Sequence, residues 1–229
     1  MTLSEYYNQL YDRAVSKIAS GEEELDDRMN RVPDEMGLIL RLRPPTEVRA
    51  RIEAFLAELR HLEPEQYYYP DSDIHVSVAS LILPNKAFQL SQINTDEYIR
   101  TVRESVSSIE PFEICFRGIT ASPGAVMIQG FENEPCLAAI RYHLQNKLNE
   151  NKLEHAISGS YSVQTAHSTV VRFRKKLQDR QALLALLEKY RNFDFGCFPV
   201  SELELVHNDW LHRNEYLKLL ASIELSGNS

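Results

Sequence analysis

Apolar positions along this chain change period several times, and each change marks an element. In the first eighteen residues Leu3, Tyr6, Tyr7, Leu10, Ala14 and Ile18 recur at helical spacing, and Thr2 with Glu5 has the form of a capping box. An acidic run from Glu22 to Asp27 then leads to Pro33. From Met36 onward, short runs rich in β-branched residues take turns with helical ones. The predicted strands are 37–42, 73–83 (ended by Pro84), 112–119, 125–131, 164–173 and 200–207. The predicted helices are 48–59, 96–109 with Thr95 as its cap, 137–148 after Pro135, and a helix opened by Asp179 that runs to Tyr190. Ser122-Pro123-Gly124 is a turn signal between two strands, and 215–225 fits either strand or helix.

Read coarsely, one unit of strand, helix and histidine-bearing strand occurs twice without a low-complexity linker. The expected architecture is therefore α+β: two lobes of one domain over residues 36–229, with residues 1–35 as a helical extension docked on it. The polar face of that first helix is not basic, which argues against a membrane-surface role.

Composition narrows the classes. The chain has 229 residues, of which 43% are hydrophobic and 25% charged, a globular balance with room for a sizeable core. No apolar stretch approaches the ~20 residues of a membrane span, and no apolar segment follows a basic start, so a cytoplasmic location is expected. Cys115, Cys136 and Cys197 are widely spaced with no CxxC, which reads as three small buried apolar residues in a reducing compartment. A net charge of −8 argues against sequence-independent binding of duplex DNA through a global positive field. The local run Arg172-Phe173-Arg174-Lys175-Lys176 nevertheless suits a small or terminal anion.

Candidate chemistry lies in two matching segments, His75-Val76-Ser77-Val78 and His167-Ser168-Thr169-Val170. Of seven histidines, only these two have a hydroxyl residue two places on. Side chains alternate along a strand, so each imidazole shares a face with its hydroxyl. Two such strands facing one cleft supply a proton acceptor, a proton donor and two hydrogen-bonding hydroxyls, a sufficient kit for cleaving a phosphodiester without a metal. Strict alternation puts Arg172 on the face opposite Thr169 unless a bulge re-aims it. Tyr68, within Tyr67-Tyr68-Tyr69, is a further candidate substrate contact because aromatic rings stack on nucleobases.

These motifs resemble the two H-x-[ST]-x motifs of the 2H phosphoesterase superfamily, which includes the bacterial RNA 2′-5′ ligase-like proteins and the cyclic phosphodiesterases. The hairpin between the motifs and the basic Arg172 after the second strengthen the resemblance, which covers roughly residues 36–225. Ser77 stands where threonine is commoner. The resemblance implies a bilobal, pseudo-two-fold α+β fold with two antiparallel sheets lining a central cleft and helices outside. It implies a hydrolase of 2′,3′-cyclic phosphates or 2′-5′ linked nucleotides, with His75 and His167 as catalytic acid and base and Ser77 and Thr169 binding the phosphate; Arg172 and Tyr68 are the further candidate substrate contacts. No metal or other cofactor is expected, and the partner is a small nucleotide or RNA end met by a monomer. A binding module without turnover and an RNA-joining activity at the same site are the alternatives. Which histidine is the acid is left open.

Overall fold

The computed structural model describes residues 1–157 and 165–227. Its helices are α1 (Leu3–Ala19), α2 (Thr46–Leu62), α3 (Thr95–Val106), α4 (Cys136–Glu150) and α5 (Arg180–Lys189). Its strands are β1 (Met36–Leu42), β2 (Tyr67–Tyr68), β3 (Val76–Asn85), β4 (Phe112–Ser122), β5 (Ala125–Glu132), β6 (Ser168–Arg172), β7 (Asp194–Val200), β8 (Glu202–Asp209) and β9 (Lys218–Glu224). They form two antiparallel sheets, ordered β3-β1-β8-β9 and β2-β6-β5-β4-β7. The fold is the expected α+β class. Helices α1 and α2 pack on β4 and β7 of the second sheet, while α3 and α4 pack on β9 and β3 of the first.

Sequence and position agree strand by strand. The apolar run Gly37-Leu38-Ile39-Leu40 is buried throughout because β1 lies between β3 and β8 with both faces covered. The chain crosses from one sheet to the other at Ser201, between β7 and β8. Pro84 does not stop β3, which runs on to Asn85; β3 is an edge strand, where a missing N–H costs no ladder bond. Within 215–225, Lys218–Glu224 form strand β9 after a turn at 214–216, and β7 is a strand that Gly196 and Pro199 conceal in the sequence. The cap of α3 is Asn94, whose side chain accepts from the Glu97 N–H, one residue before the expected Thr95.

The cysteine expectation is overturned. Cys115 and Cys197 are not buried apolar fillers. They stand directly opposite each other on β4 and β7 and are joined as a disulfide, with Cys197 on the exposed face. Only strand pairing, invisible in residue spacing, brings them together. Cys136 is the free thiol and is half-buried.

One buried charge ties two helices together. Glu63, fully buried at the C-cap of α2, accepts the N–H groups of Gln178 (2.8 and 3.0 Å) and Asp179 (2.9 Å) at the entry to α5. A carboxylate at a helix N-terminus satisfies otherwise orphaned donors. Glu63→Ala leaves those donors buried and unpaired, and we expect it to lower unfolding free energy by about 2–4 kcal/mol in urea denaturation.

Candidate active site between the two sheets

Strands β3 and β6 come into contact where the sheets meet. His75, Ser77, His167, Thr169 and Arg172 all line one cavity of about 100 Å³ there, together with Tyr69, Asn208, Trp210 and His212. Each motif histidine sits one residue ahead of its strand, His75 before β3 and His167 before β6, and still shares the cavity with the hydroxyl two places on. The predicted start of the second strand, Gln164, lies outside the described residues.

The residue two places before each histidine holds its ring. The Asp73 carbonyl lies 2.7 Å from His75 Nδ1. A carbonyl only accepts, so Nδ1 carries the proton and Nε2 is left bare. At the second motif the Thr165 hydroxyl lies 2.6 Å from His167 Nδ1. Both segments are also tied to α4: Arg141 Nε donates to the Val78 carbonyl (2.7 Å) and Nη2 to that of Thr165 (3.4 Å). Gly130 of β5 makes room for the second segment, since a Cβ there would collide with the Ala166 carbonyl oxygen.

Arg172 reaches the cavity through a bulge. Val126 pairs with Val171 but Met127 pairs with Thr169, so Val170 has no opposite number on β5. Val170 and Val171 are both buried in consequence, and Thr169 and Arg172 share the cavity face. Arg172 Nε donates to the Tyr69 hydroxyl at 3.1 Å, and its Nη1 lies 3.7 Å from Asp26 Oδ2. Tyr68 is turned away from the cavity. Its hydroxyl donates to the Glu63 carbonyl at 2.8 Å and the Arg60 guanidinium sits over its ring, so Tyr69, its neighbour, is the tyrosine that lines the site. Arg174 and Lys175 bind Glu65 at the rim, and Phe173 is fully buried.

A third histidine enters from the turn after β8, with no motif to announce it. His212 stacks on His75 with centroids 3.9 Å apart and planes at 24°. Asn208 Nδ2 donates both to the Asp209 carbonyl (2.7 Å) and to His212 Nε2 (3.1 Å), which fixes that nitrogen as an acceptor. The turn is held by Asp209, which accepts the Arg213 N–H and pairs with its guanidinium at 2.8 Å. His212 adopts φ 58° there. The same turn brings Trp210, the sole tryptophan, under the guanidinium groups of Arg28 and Arg172. A lone tryptophan beside Asp and His at a strand end was the available signal.

Burial dominates the electrostatics. It pushes His75 down to about 3, helped by Arg41, His167 and Arg43, and His167 down to about 4, helped by Arg172 and Arg141. Burial and the facing His75 ring hold His212 well below the ordinary histidine range. All three rings are neutral at pH 7 in the free protein. Among the described residues, Glu113, Cys115 and Cys197 cluster away from this cavity, and with both sulfurs joined in the disulfide they offer no thiolate to a metal.

The model of the 2′-5′ RNA ligase superfamily matches residues 44–210. The chain belongs to that superfamily. The 2H resemblance read from the two motifs is thereby shown, since this superfamily is a branch of the 2H phosphoesterases. Comparison with the curated proteins finds no match. Solved structures share the superfamily fold at low identity. TT0787 of Thermus thermophilus is 16% identical with a TM-score of 0.58, over 84% of this chain and 100% of its own. LigT of E. coli, solved with 3′-AMP, is 14% identical with a TM-score of 0.57, over 84% of this chain and 99% of its own. The Agrobacterium tumefaciens protein ATU0111, of unknown function, is 14% identical with a TM-score of 0.59, over 90% and 98%.

The depressed histidines give this superfamily member a pH signature. The unfolded chain takes up protons near ~6.5 that the native cleft refuses down to about 4 and 3. Their contribution to stability is therefore complete above ~pH 6.5 and is lost as pH falls toward 4. We expect the thermal midpoint to drop between pH 7 and 4.5, and to drop less in a His75→Gln/His167→Gln double variant; equal slopes in both proteins contradict this.

Proposed function

We propose that this protein is a metal-independent phosphodiesterase that hydrolyses a 2′,3′-cyclic phosphate or a 2′-5′ linked nucleotide or RNA end. The observation that carries the reading is the convergence of both histidine–hydroxyl pairs on one cavity. The complexes of LigT with 3′-AMP, ATP and NADP+ support a small nucleotide as ligand.

In-line displacement at phosphorus needs a proton removed from the attacking water on one side and a proton given to the leaving ribose oxygen on the other. His75, whose bare Nε2 follows from its bond to the Asp73 carbonyl, is assigned as the base. His167 is the acid, donating from Nε2 once the phosphate's negative charge has drawn a proton onto it. The water oxygen bonds to phosphorus, the P–O bond to ribose breaks, and the proton lost to His75 balances the one released by His167. Ser77, Thr169 and Arg172 hold the non-bridging oxygens and stabilise the charge that builds there. Each step uses side chains of the cavity, so none calls for a metal. The acting species is a monomer in the cytoplasm.

Each of His75→Ala and His167→Ala is expected to lose on the order of 10²–10⁴ in turnover of a 2′,3′-cyclic nucleotide while still binding 3′-AMP. EDTA is expected to change nothing. Full activity in either variant, or a strict requirement for added metal, overturns the scheme. A screen of cyclic and 2′-5′ linked nucleotides with phosphorus detection decides between the substrate classes.

A further inference from the structure

We propose that His212 is a positioning residue for His75: its ring, held by Asn208, lies flat against the imidazole of the base and keeps Nε2 aimed at the phosphate. That placement matters through the role assigned to His75 above, on which the proposal rests.

A hydrogen bond pins one atom of a ring and leaves the ring free to tilt about it. The Asp73 carbonyl holds His75 at Nδ1, 2.7 Å away. The torsion that turns a histidine ring is broad and sets no angle by itself. Tilting about Nδ1 displaces Nε2, on the other side of the ring, which is the atom that takes the proton from water. A contact on the ring face removes this freedom. His212 supplies it, with centroids 3.9 Å apart and planes at 24°.

The supporting ring is itself fixed. Asn208 Nδ2 gives one proton to the Asp209 carbonyl at 2.7 Å and the other to His212 Nε2 at 3.1 Å, so the single proton of the neutral ring sits on Nδ1. A second proton, taken at Nε2, would break that bond and set two donors against each other. A neutral ring thus faces His75 when the base turns cationic, where a like charge would oppose the step. Both residues are buried, Asn208 at 1% and His212 at 6% exposure. The turn that carries His212 is also joined to the segment that carries His75: the Asn214 N–H donates to the Asp73 carboxylate at 3.1 Å. The edge contact and the face contact on His75 therefore belong to one hydrogen-bonded unit.

The residue type at 212 is not chosen for the turn. Its φ of 58° is left-handed, a conformation that glycine or asparagine adopts with less strain. Its Nδ1 is buried without a hydrogen-bond partner among the described residues, which is unfavourable for an N–H. What histidine adds there is a flat ring that Asn208 can hold.

Two variants separate the ring from the turn. His212→Asn suits the left-handed backbone and has no ring, whereas His212→Phe restores a flat ring without nitrogen. With a 2′,3′-cyclic nucleotide we expect His212→Asn to lower kcat about ten- to hundredfold at nearly native KM, in line with the roughly 10²-fold cost of a 1 Å misplacement. His212→Phe should recover most of that loss. Relaxation of the His75 Cε1–H bond in the free protein at pH 7 reads the clamp directly. The ring should be as ordered as the backbone in the native protein and in His212→Phe, and more mobile in His212→Asn. Native kcat in folded His212→Asn overturns the proposal. So does equal loss of kcat in both variants, which assigns the effect to a nitrogen, and so does a loss confined to KM, which assigns His212 to the ligand. If neither variant folds, the native protein decides: an ordered His75 ring supports the clamp and a mobile one overturns it. Absence of turnover in the native protein sinks the hydrolase reading instead, and the ring order still judges the clamp.

Discussion

An imidazole can exchange protons with a ligand only through the nitrogen that faces it, so the other nitrogen must be occupied. That requirement organises the centre of this molecule. At the first motif the Asp73 carbonyl meets it, and Asp73 is itself fastened by Ser72 and by the Asn214 N–H. At the second motif a threonine hydroxyl meets it, backed by β5. The sheets can differ in strand number and order because only these two short segments need to be held to within a fraction of an ångström.

Charge is distributed to suit an anion despite an acidic chain. The net charge of −8 is spread over the surface, while Arg41, Arg43, Arg141 and Arg172 all bear on the cleft histidines. Several of these guanidinium groups are already engaged: Arg41 with Glu204 at 2.7 Å, Arg172 with Tyr69 and Asp26. The cleft thus gathers guanidinium groups around histidines that burial keeps neutral. An anion seated there would offset the penalty that burial imposes on a protonated ring.

Much of this was legible in the residues, and the misses have physical causes. Both motif histidines and their hydroxyls were found because period-two alternation survives even where the ladder has not yet begun. Arg172 was ambiguous because a bulge depends on the partner strand, which a single segment does not encode. Tyr68 was chosen over Tyr69 because a two-residue strand gives alternation nothing to anchor to. His212 and Trp210 were missed because they sit on a turn, where neither period applies, and are placed by the Asp209–Arg213 pair. The Cys115–Cys197 contact depends on the pairing of β4 with β7, and β7 itself was obscured by its glycine and proline.

The unpaired Val170 has a meaning beyond this cavity. Thr169 and Arg172 stand three apart, an odd interval that a regular strand would send to opposite sides. Where polar residues spaced by an odd number serve one ligand from one strand, the interval itself announces a dislocation in the ladder. Deleting Val170 would shorten that interval to two and restore a regular ribbon with both side chains still on the cavity face, whereas flattening the bulge with every residue kept would swing the guanidinium into the apolar interior.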